Sequence, residues 1–403
     1  MFKEFIANDS VRNQMLKKVY KLIHQKHQTS KNELLEETNI KQTTLTRMLD
    51  EMLNRNFILE SGYGKSSGGR PPVLYQINEK IAYIIGIDIS RIETKVILMD
   101  LFFQPIEIET FQMTKKESPQ VVFSKVIQII HTFLANFKIE LEQLLGIGVG
   151  TVGPLNRQEG IIDNPEAFQS PKWQNVKVKE ILSETFSVPI IVENGANTAA
   201  LAEYTHHQFL YKNILYCIGG FGVRCGVISN GQFVHSKQGD SSAYGHIIIQ
   251  AEGRLCTCGR KGCLTTYASF GAMLDEYKSR VKHESTSLNA IDPSILMDEF
   301  INELKKNDSL TKDIVKKAAY YYGIGIANMI NVLHPELVVL HGSLIYESPY
   351  YYERVVESAL KHTYSKDKDS IQFKKGGLGA NGIAIGAGIQ VFQTYFKQID
   401  RPF

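Results

Sequence analysis

A histidine and three cysteines lie close together in the sequence and could bind a transition metal. His246 follows Gly245, and after nine further residues come Cys256, Cys258 and Cys263. Thiolate sulfur and imidazole nitrogen are ligands that zinc prefers, and one histidine with three cysteines completes a tetrahedral shell. Because four protein ligands leave no position for a water molecule, the pattern predicts a structural Zn²⁺ site and not a hydrolytic centre.

Two glycines in the same segment favour zinc binding. Gly259 and Gly262 allow the chain to turn tightly enough for three thiolates to reach one ion. The alternatives are buried free thiols, or a disulfide in a secreted protein. The spacing Cys-x-Cys-x4-Cys, with Gly-His upstream, favours the metal site.

The composition indicates a globular protein with an unevenly charged surface. The 403 residues are 43% apolar, which is enough to bury more than one core. We find neither a secretion leader nor an apolar run of about 18 residues, and the clustered cysteines fit a reducing compartment, so we expect a cytoplasmic protein without a membrane partner. Residues 1–78 carry twelve Lys and Arg against eight Asp and Glu, a net charge of +4 that suggests a polyanionic partner.

Residues 1–78 are predicted to contain a helix-turn-helix. A first helix at 11–25 shows a helical period in Met15, Val19, Leu22 and Ile23, and the nearby His24 and His27 are expected to be solvated. Ser30 and Glu33 form a capping box that opens a second helix, and a third helix covers 43–55. Two short helices joined by a tight turn are typical of DNA-binding modules.

Polar side chains at the start of the third helix are predicted to contact double-stranded operator DNA. Segments 57–60 and 73–77 read as a hairpin, which would form a wing beside that helix. The alternative is a helical docking domain whose polar residues are merely solvated. The residues expected to reach bases or phosphates are Lys41, Gln42, Thr43, Thr44, Thr46 and Arg47 on the helix, with Lys65 and Arg70 on the wing.

The remainder of the chain alternates strands and helices in two halves, which predicts a two-lobed α/β body with a ligand cleft between the lobes. We divide the chain into three parts. Residues 1–78 form the winged helix-turn-helix. Residues 79–200 form a first lobe that a C-terminal helix at 381–403 completes, and residues 201–380 form a second lobe with the zinc site.

Two motifs resemble those of a known family. Gly245-His246 followed by Cys-x-Cys-Gly-x-x-Gly-Cys resembles the hallmark of the ROK family (repressors, open reading frames and sugar kinases). Segments 40–47 and 68–72 resemble the winged DNA-binding module of ROK repressors. The resemblance implies a winged helix-turn-helix followed by a two-lobed, actin-like (ribonuclease-H-like) ATPase/sugar-kinase fold.

The groups that the family's kinases use for phosphoryl transfer are altered in this chain. In the family's kinases, the first phosphate-binding corner is Gly-Gly-Thr. In this chain, residues 90–94 stand at that corner, and their side chains, including the negatively charged Glu93, occupy the place of the phosphates. In the second corner, Phe221 replaces a phosphate-binding threonine and Arg224 replaces a glycine. Gly195 stands where the resemblance places the Asp that serves as catalytic base, and glycine cannot accept a proton. We therefore expect no kinase activity.

The resemblance also implies residues that could bind a sugar. Three carboxylates of the family site are absent, since their positions are Gly195, Ala243 and Thr265. The cleft could therefore bind an altered effector that is smaller, less hydroxylated or negatively charged, or it could be a ligand-independent dimerisation scaffold. The retained candidates are Asn164, Glu193, Asn194 and His246.

We predict a sequence-specific DNA-binding transcriptional regulator, a repressor of carbohydrate-utilisation genes that acts as a homodimer or homotetramer and responds to a sugar or sugar-derived effector. The alternatives are an ATP-dependent sugar kinase with a DNA-binding head and a scaffold that binds a protein partner.

Overall fold

The N-terminal part of the chain, here called the head, packs helices against a small antiparallel sheet. The structure is a computed structural model that describes residues 2–65, 70–165, 168–234, 241–280, 293–364 and 370–397. The strands of the head pair in the order β1-β3-β2. The elements of the head are α1 (Phe2–Ala7), α2 (Val11–Lys26), β1 (Thr29–Ser30), α3 (Lys31–Thr38), α4 (Gln42–Asn54), β2 (Ile58–Tyr63) and β3 (Val73–Ile77).

Local sequence explains how the helix-turn-helix forms. The Ser30 hydroxyl accepts the backbone N–H of Glu33, and the Glu33 carboxylate accepts the backbone N–H of Ser30 at 2.7 Å, which confirms the predicted capping box. Asn39 ends α3 in the left-handed conformation and so produces the turn into α4. Leu45 and Leu49 anchor the inner face of α4. Strand β1, which the sequence did not predict, completes the sheet beside the β2–β3 hairpin.

The body begins with a five-stranded sheet in the order β11-β7-β4-β5-β6 and a small sheet in the order β10-β9-β8. Strands β4, β7 and β11 run parallel, whereas β5 and β6 are antiparallel to their neighbours. The elements of this lobe are β4 (Tyr83–Ile89), β5 (Glu93–Met99), β6 (Pro105–Gln112), α5 (Pro119–Asn136), β7 (Leu144–Thr151), β8 (Leu155–Asn156), β9 (Ile161–Ile162), β10 (Val176–Lys177), α6 (Val178–Ser183), β11 (Ile190–Asn194) and α7 (Gly195–His206).

The second lobe repeats that topology. Its sheet has the order β14-β13-β12-β15-β16, with an antiparallel β12–β13–β14 meander and parallel β12, β15 and β16. A repeated sheet of this kind is the two-lobed, ribonuclease-H-like fold predicted above. The elements of this lobe are β12 (Ile214–Gly219), β13 (Val223–Ser229), β14 (Gln232–Phe233), α8 (Thr265–Ala268), α9 (Phe270–Arg280), α10 (Pro293–Lys305), α11 (Ser309–Leu333), β15 (Leu337–His341), α12 (Ser343–Glu347), α13 (Pro349–His362) and β16 (Gln372–Lys375). The last described helix is α14 (Gly382–Thr394).

The last helix, α14, returns to the first lobe and packs on β4 and β7. Two glycines permit the close approach. A Cβ at Gly86 would lie 2.0 Å from the carbonyl oxygen of Ala384, and one at Gly148 would lie 2.0 Å from that of Ala387. Helix and sheet are therefore in backbone contact, so α14 cannot slide over the sheet without a clash.

The head and the first lobe share one hydrophobic core, and this contact corrects two predictions. His24 is buried and not solvated: its Nε2 lies 2.8 Å from the carbonyl oxygen of Leu101, and its ring stacks on Phe392 at 4.7 Å. Met15, predicted on the apolar face of α2, is 41% exposed, because Leu16 takes part in the core instead. His27 is exposed, as expected.

Within the described residues, no helix combines the length and apolar character needed to cross a membrane.

Candidate functional site

The structure brings together the four residues that the sequence predicts as metal ligands. The ligand atoms of His246, Cys256, Cys258 and Cys263 all lie within 4.8 Å of one another. Cys256 Sγ is 3.5 Å from His246 Nδ1, and Cys258 Sγ is 3.6 Å from Cys263 Sγ. A tetrahedral zinc with Zn–S bonds of about 2.3 Å separates its sulfur ligands by roughly 3.8 Å, so the cluster has the size of a metal-binding shell.

Glycines and backbone hydrogen bonds shape this cluster. His246 ends the 3₁₀ segment Ser241–His246. Gly259 (φ 83°) and Gly262 (φ 79°) are both left-handed, and a Cβ at Gly262 would lie 1.7 Å from the carbonyl oxygen of Gln250. The backbone N–H of Cys256 donates to the carbonyl of Arg260 at 2.8 Å and closes the turn. The predicted need for glycine at both positions is therefore confirmed.

The thiols of the cluster differ in their surroundings. Cys256 and Cys263 are buried, whereas Cys258 is exposed at the surface. The backbone N–H of Arg260, followed by its guanidinium, lowers the pKa of Cys258 to about 6. These donors stabilise a thiolate, which is the form that binds a metal.

A cleft of about 630 Å³ separates the two lobes and reaches the metal-binding cluster, because His246 lines it. Its other walls include the corner after β4, the corner after β12, and Ile383 from the start of α14. The predicted position of the missing base, Gly195, opens α7 beside this cleft. A Cβ there would lie 3.3 Å from Ile383, so a longer side chain would point toward the cleft wall.

The two corners contact each other across the cleft. The Arg91 guanidinium, from the first lobe, lies 4.4 Å from the centre of the Phe221 ring, from the second lobe. A cation at this distance from an aromatic face is attracted by the ring quadrupole. Both side chains belong to the corners that were predicted to differ from the kinase pattern, and their contact joins the two lobes at this end of the cleft.

Charged groups of both lobes line the same end of the cleft. Burial raises the pKa of Asp88 to about 7, although Lys95 and Arg224 counteract the shift. Lys95 pairs with Glu93 at 3.3 Å and donates to a backbone carbonyl. Burial, together with Arg224 and Lys95, lowers the pKa of His341 to about 4. This end of the cleft therefore has a positive potential with a partly neutral aspartate.

The four predicted sugar-binding residues occupy different environments. Among the described residues, the cleft lining includes His246 but not the exposed Asn164 or the buried Glu193 and Asn194. Asn194 Oδ1 accepts the backbone N–H of Ala196 and caps α7, while its Nδ2 is buried without a hydrogen-bond partner in the described part of the chain. Glu193 accepts the side-chain amide of Asn197 at 3.0 Å.

The predicted DNA-contacting residues form an outward row at the start of α4. Lys41, Gln42, Thr43, Thr44 and Arg47 are exposed, and Thr46 is half-buried with its hydroxyl bonded to the carbonyl of Gln42.

The wing residues Lys65 and Arg70 are exposed on either side of residues 66–69, which lie outside the described residues. The helix row and the wing cations therefore both belong to the head.

Comparison with known proteins identifies the family. A family model described as the ROK family matches residues 84–393, well over half of the chain. This chain belongs to the ROK family. The xylose repressor of Bacillus subtilis (strain 168) is 28% identical to this chain over 371 residues, 92% of each chain. The N-acetylglucosamine repressor of Escherichia coli O157:H7 is 25% identical and covers 81% of this chain and 79% of its own.

Solved ROK structures share the fold at lower identity. A ROK family transcriptional regulator, a homologue of the E. coli MLC protein, aligns with a TM-score of 0.76 and 20% identity over 96% of this chain and 98% of its own. The ROK hexokinase of Thermus thermophilus aligns with a TM-score of 0.64 and 23% identity over 77% of this chain and 98% of its own. The regulator therefore spans head and body, whereas the hexokinase matches a shorter part of this chain.

Proposed function

We propose that this ROK protein is a sequence-specific DNA-binding transcriptional regulator that represses carbohydrate-utilisation genes and responds to a sugar or sugar-derived effector. One observation carries the proposal: the outward row of hydrogen-bonding side chains on α4, joined to a winged sheet and a ROK body. Repressors among the relatives support it, since their alignments cover most of this chain.

The head would bind the major groove through the N-terminal half of α4. Gln42 and Arg47 can bond base edges, and Lys65 and Arg70 can neutralise phosphates beside the helix. A homodimer or homotetramer would place two such helices on half-sites about 34–36 Å apart, or a multiple of that spacing. Exposure of these residues, given above, supports the proposal.

Helix α14 offers a physical connection between the cleft and the head. Ile383, at its first turn, lines the cleft, and Phe392, near its last turn, stacks on His24 of the head. Because the helix is in backbone contact with β4 and β7, it moves together with the first lobe, so an effector that contacts Ile383 would act on one end of a helix whose other end packs on the head. Coupling free energies of this kind are typically about 1–3 kcal/mol.

A structural zinc bound by His246, Cys256, Cys258 and Cys263 completes the proposal. Three sulfurs and one nitrogen within the observed distances suit zinc and leave no open position for a substrate water. Nδ1 of His246 faces the cluster, so Nε2 would be available to an effector hydroxyl in the cleft.

Two alternative functions are less well supported. A kinase would need a carboxylate base where Gly195 stands, and space for a triphosphate where Arg91 contacts Phe221. A ligand-independent dimerisation scaffold would retain the fold without an effector.

The test is a titration of the purified full chain on its own upstream DNA at fixed near-physiological salt, with and without a panel of sugars and sugar phosphates. Salt is held constant because phosphate contacts make affinity steeply salt-dependent. Tight sequence-specific binding that one compound relieves is the expected result. Binding that no compound alters would favour the scaffold, and the absence of specific binding would refute the regulator.

A further inference from the structure

One end of the interlobe cleft carries polar side chains that the proposed function does not use. Arg224 on β13 lies opposite Ile218 on β12, and Ile218 lies opposite His341 on β15, so Arg224 and His341 stand in one row across the sheet of the second lobe. Asp88 on β4 belongs to the first lobe, and it is close enough to Arg224 for each group to shift the pKa of the other. All four residues line the cleft.

Asp88 is a buried carboxylate without a hydrogen-bond donor from the described part of the chain. It is 6% exposed, and its remaining surface faces the cleft. Lys95, its neighbour across the strand pair, instead pairs with Glu93 and donates to the carbonyl of Ala380. Donors for the Asp88 carboxylate must therefore come from the cleft, from solvent or from a ligand.

Arg224 and His341 present complementary groups. The Arg224 guanidinium donates no hydrogen bond to any residue that the structure describes, so its N–H groups are available to the cleft. His341 Nδ1 lies 2.9 Å from the hydroxyl oxygen of Tyr346, and that hydroxyl donates to the carbonyl of Gly376 at 3.0 Å. Nδ1 therefore carries the ring proton, and Nε2 keeps a lone pair that can accept a hydrogen bond.

This set of groups fits an uncharged ligand with hydroxyl groups. Asp88 and His341 accept hydrogen bonds and Arg224 donates them, and a hydroxyl can do both, so adjacent hydroxyls of one sugar can satisfy all three. A divalent cation would be repelled by Lys95 and Arg224, and an anion would be repelled by the Asp88 carboxylate. Phe221 lines the cleft as well and offers an aromatic surface to the apolar face of a sugar ring.

We propose that Asp88, Arg224 and His341 form a hydroxyl-binding subsite for an uncharged sugar. Its hydroxyls would donate to Asp88 and to His341 Nε2 and accept from Arg224. The subsite is additional to the contact proposed for His246, and its ligand would join the two lobes. The cleft, at about 630 Å³, lies within the range of about 300–1,000 Å³ typical of small-molecule sites. The regulatory meaning of the subsite rests on the proposed function, whereas sugar binding can be measured without DNA.

The pH dependence of binding separates an uncharged ligand from an anion. Burial raises the pKa of Asp88 to about 7; Lys95 and Arg224 oppose the shift, and Glu93 adds to it. A hydroxyl that donates to Asp88 favours the ionised carboxylate, so binding should weaken as the pH falls through about 7. An anion would instead bind more tightly once the carboxylate is protonated. His341 stays neutral in this range, because its pKa is about 4.

The experiment titrates probes into the full chain without DNA, by saturation-transfer NMR and calorimetry. The neutral probes are D-xylose, D-glucose and sucrose, and the anionic probes are glucose 6-phosphate and inorganic phosphate. The test variants are D88N, R224Q and H341N, in which asparagine keeps a donor toward Tyr346 and removes Nε2. The matched control is D275N, which alters an exposed aspartate outside the cleft lining. Circular dichroism identifies any variant that does not fold, and the other variants and the pH profile then decide.

We expect a neutral sugar to bind the wild type saturably and about fivefold more weakly at pH 6 than at pH 8. D88N and R224Q should each weaken it by about tenfold and H341N by about threefold, because a hydrogen bond to the ligand is lost. D88N should also abolish the pH dependence, and D275N should change nothing. The proposal is overturned if no neutral probe binds, if the folded variants bind like wild type, or if only the anionic probes bind. Failure to bind DNA would refute the regulator without altering this result.

Discussion

The buried His24 makes the stability of the head–body contact dependent on pH. Burial, which outweighs the hydrogen bond to Leu101, lowers the pKa of His24 from 6.5 to about 4, and the nearby Lys21 and His27 act in the same direction. The folded protein therefore keeps the imidazole neutral, while the unfolded chain takes up a proton as the pH falls below 6.5. The contribution to stability is complete above pH 6.5 and is lost progressively toward pH 4.

The size of this effect follows from the two pKa values. Proton linkage gives a loss of about 2 kcal/mol of unfolding free energy between about pH 7.5 and about pH 5. His24→Gln removes the titrating group and retains an amide that can donate to the Leu101 carbonyl. We expect this variant to be less stable near neutral pH by about 1–2 kcal/mol, since the stacking on Phe392 is lost, but to lose about 2 kcal/mol less on acidification.

Guanidinium unfolding at the two pH values, followed by circular dichroism, measures the difference between variant and wild type. All other titrating groups, including His341, are common to both proteins and cancel in the comparison. His131→Gln is the matched control, because His131 is an exposed histidine of α5, away from the head. If His24→Gln and wild type lost the same free energy on acidification, the buried neutral imidazole would be refuted as the cause.

Four further predictions concern the proposed sites. Chelation should release one zinc per chain, measured with a chromogenic indicator, and lower the melting temperature; a negligible zinc content would contradict the structural site. Gly262→Ala should lower zinc content and cost about 1–3 kcal/mol of stability in urea unfolding, because a Cβ there meets the Gln250 carbonyl; wild-type values for both would argue against the turn. Arg47→Ala should weaken operator binding by about 1–3 kcal/mol in a gel-shift titration, while the exposed Lys80→Ala should leave it unchanged. A thermal-unfolding double-mutant cycle of Arg91→Gln with Phe221→Leu should give a coupling of about 0.5–2 kcal/mol, and independent effects would exclude the interlobe contact.

Features encoded by neighbouring residues could be predicted from the sequence. The metal-binding cluster is one of them, because three cysteines and two glycines of one short segment already determine the turns. The capping box of Ser30 with Glu33 and the outward face of α4 are others, since helical period and cap chemistry act within a few residues. The order of the strands in each lobe was not predicted, and neither were the strands β6, β8, β9, β10, β11, β14 and β16.

Features decided by distant packing could not be predicted in the same way. The helical period of α2 predicts which side of the helix is apolar. His24 is nevertheless buried, because Leu101 and Phe392, which lie far along the chain, contact its ring. Glu193 and Asn194 match a sugar-binding motif, but their carboxylate and amide oxygens bond to the start of α7. A motif specifies residue types, whereas the side of the backbone that faces a cleft depends on the completed fold.

The two altered corners of the cleft are best understood together. Arg91 alone would place a cation beside backbone, and Phe221 alone would expose an aromatic ring to the cleft. With both present, the guanidinium of Arg91 lies over the ring of Phe221, and the cation and the ring attract each other across the interlobe cleft. Arg224 opposes Asp88 in the same region, so the chain supplies cations near a carboxylate that burial would otherwise leave uncompensated. The two side chains therefore join the lobes at this end of the cleft.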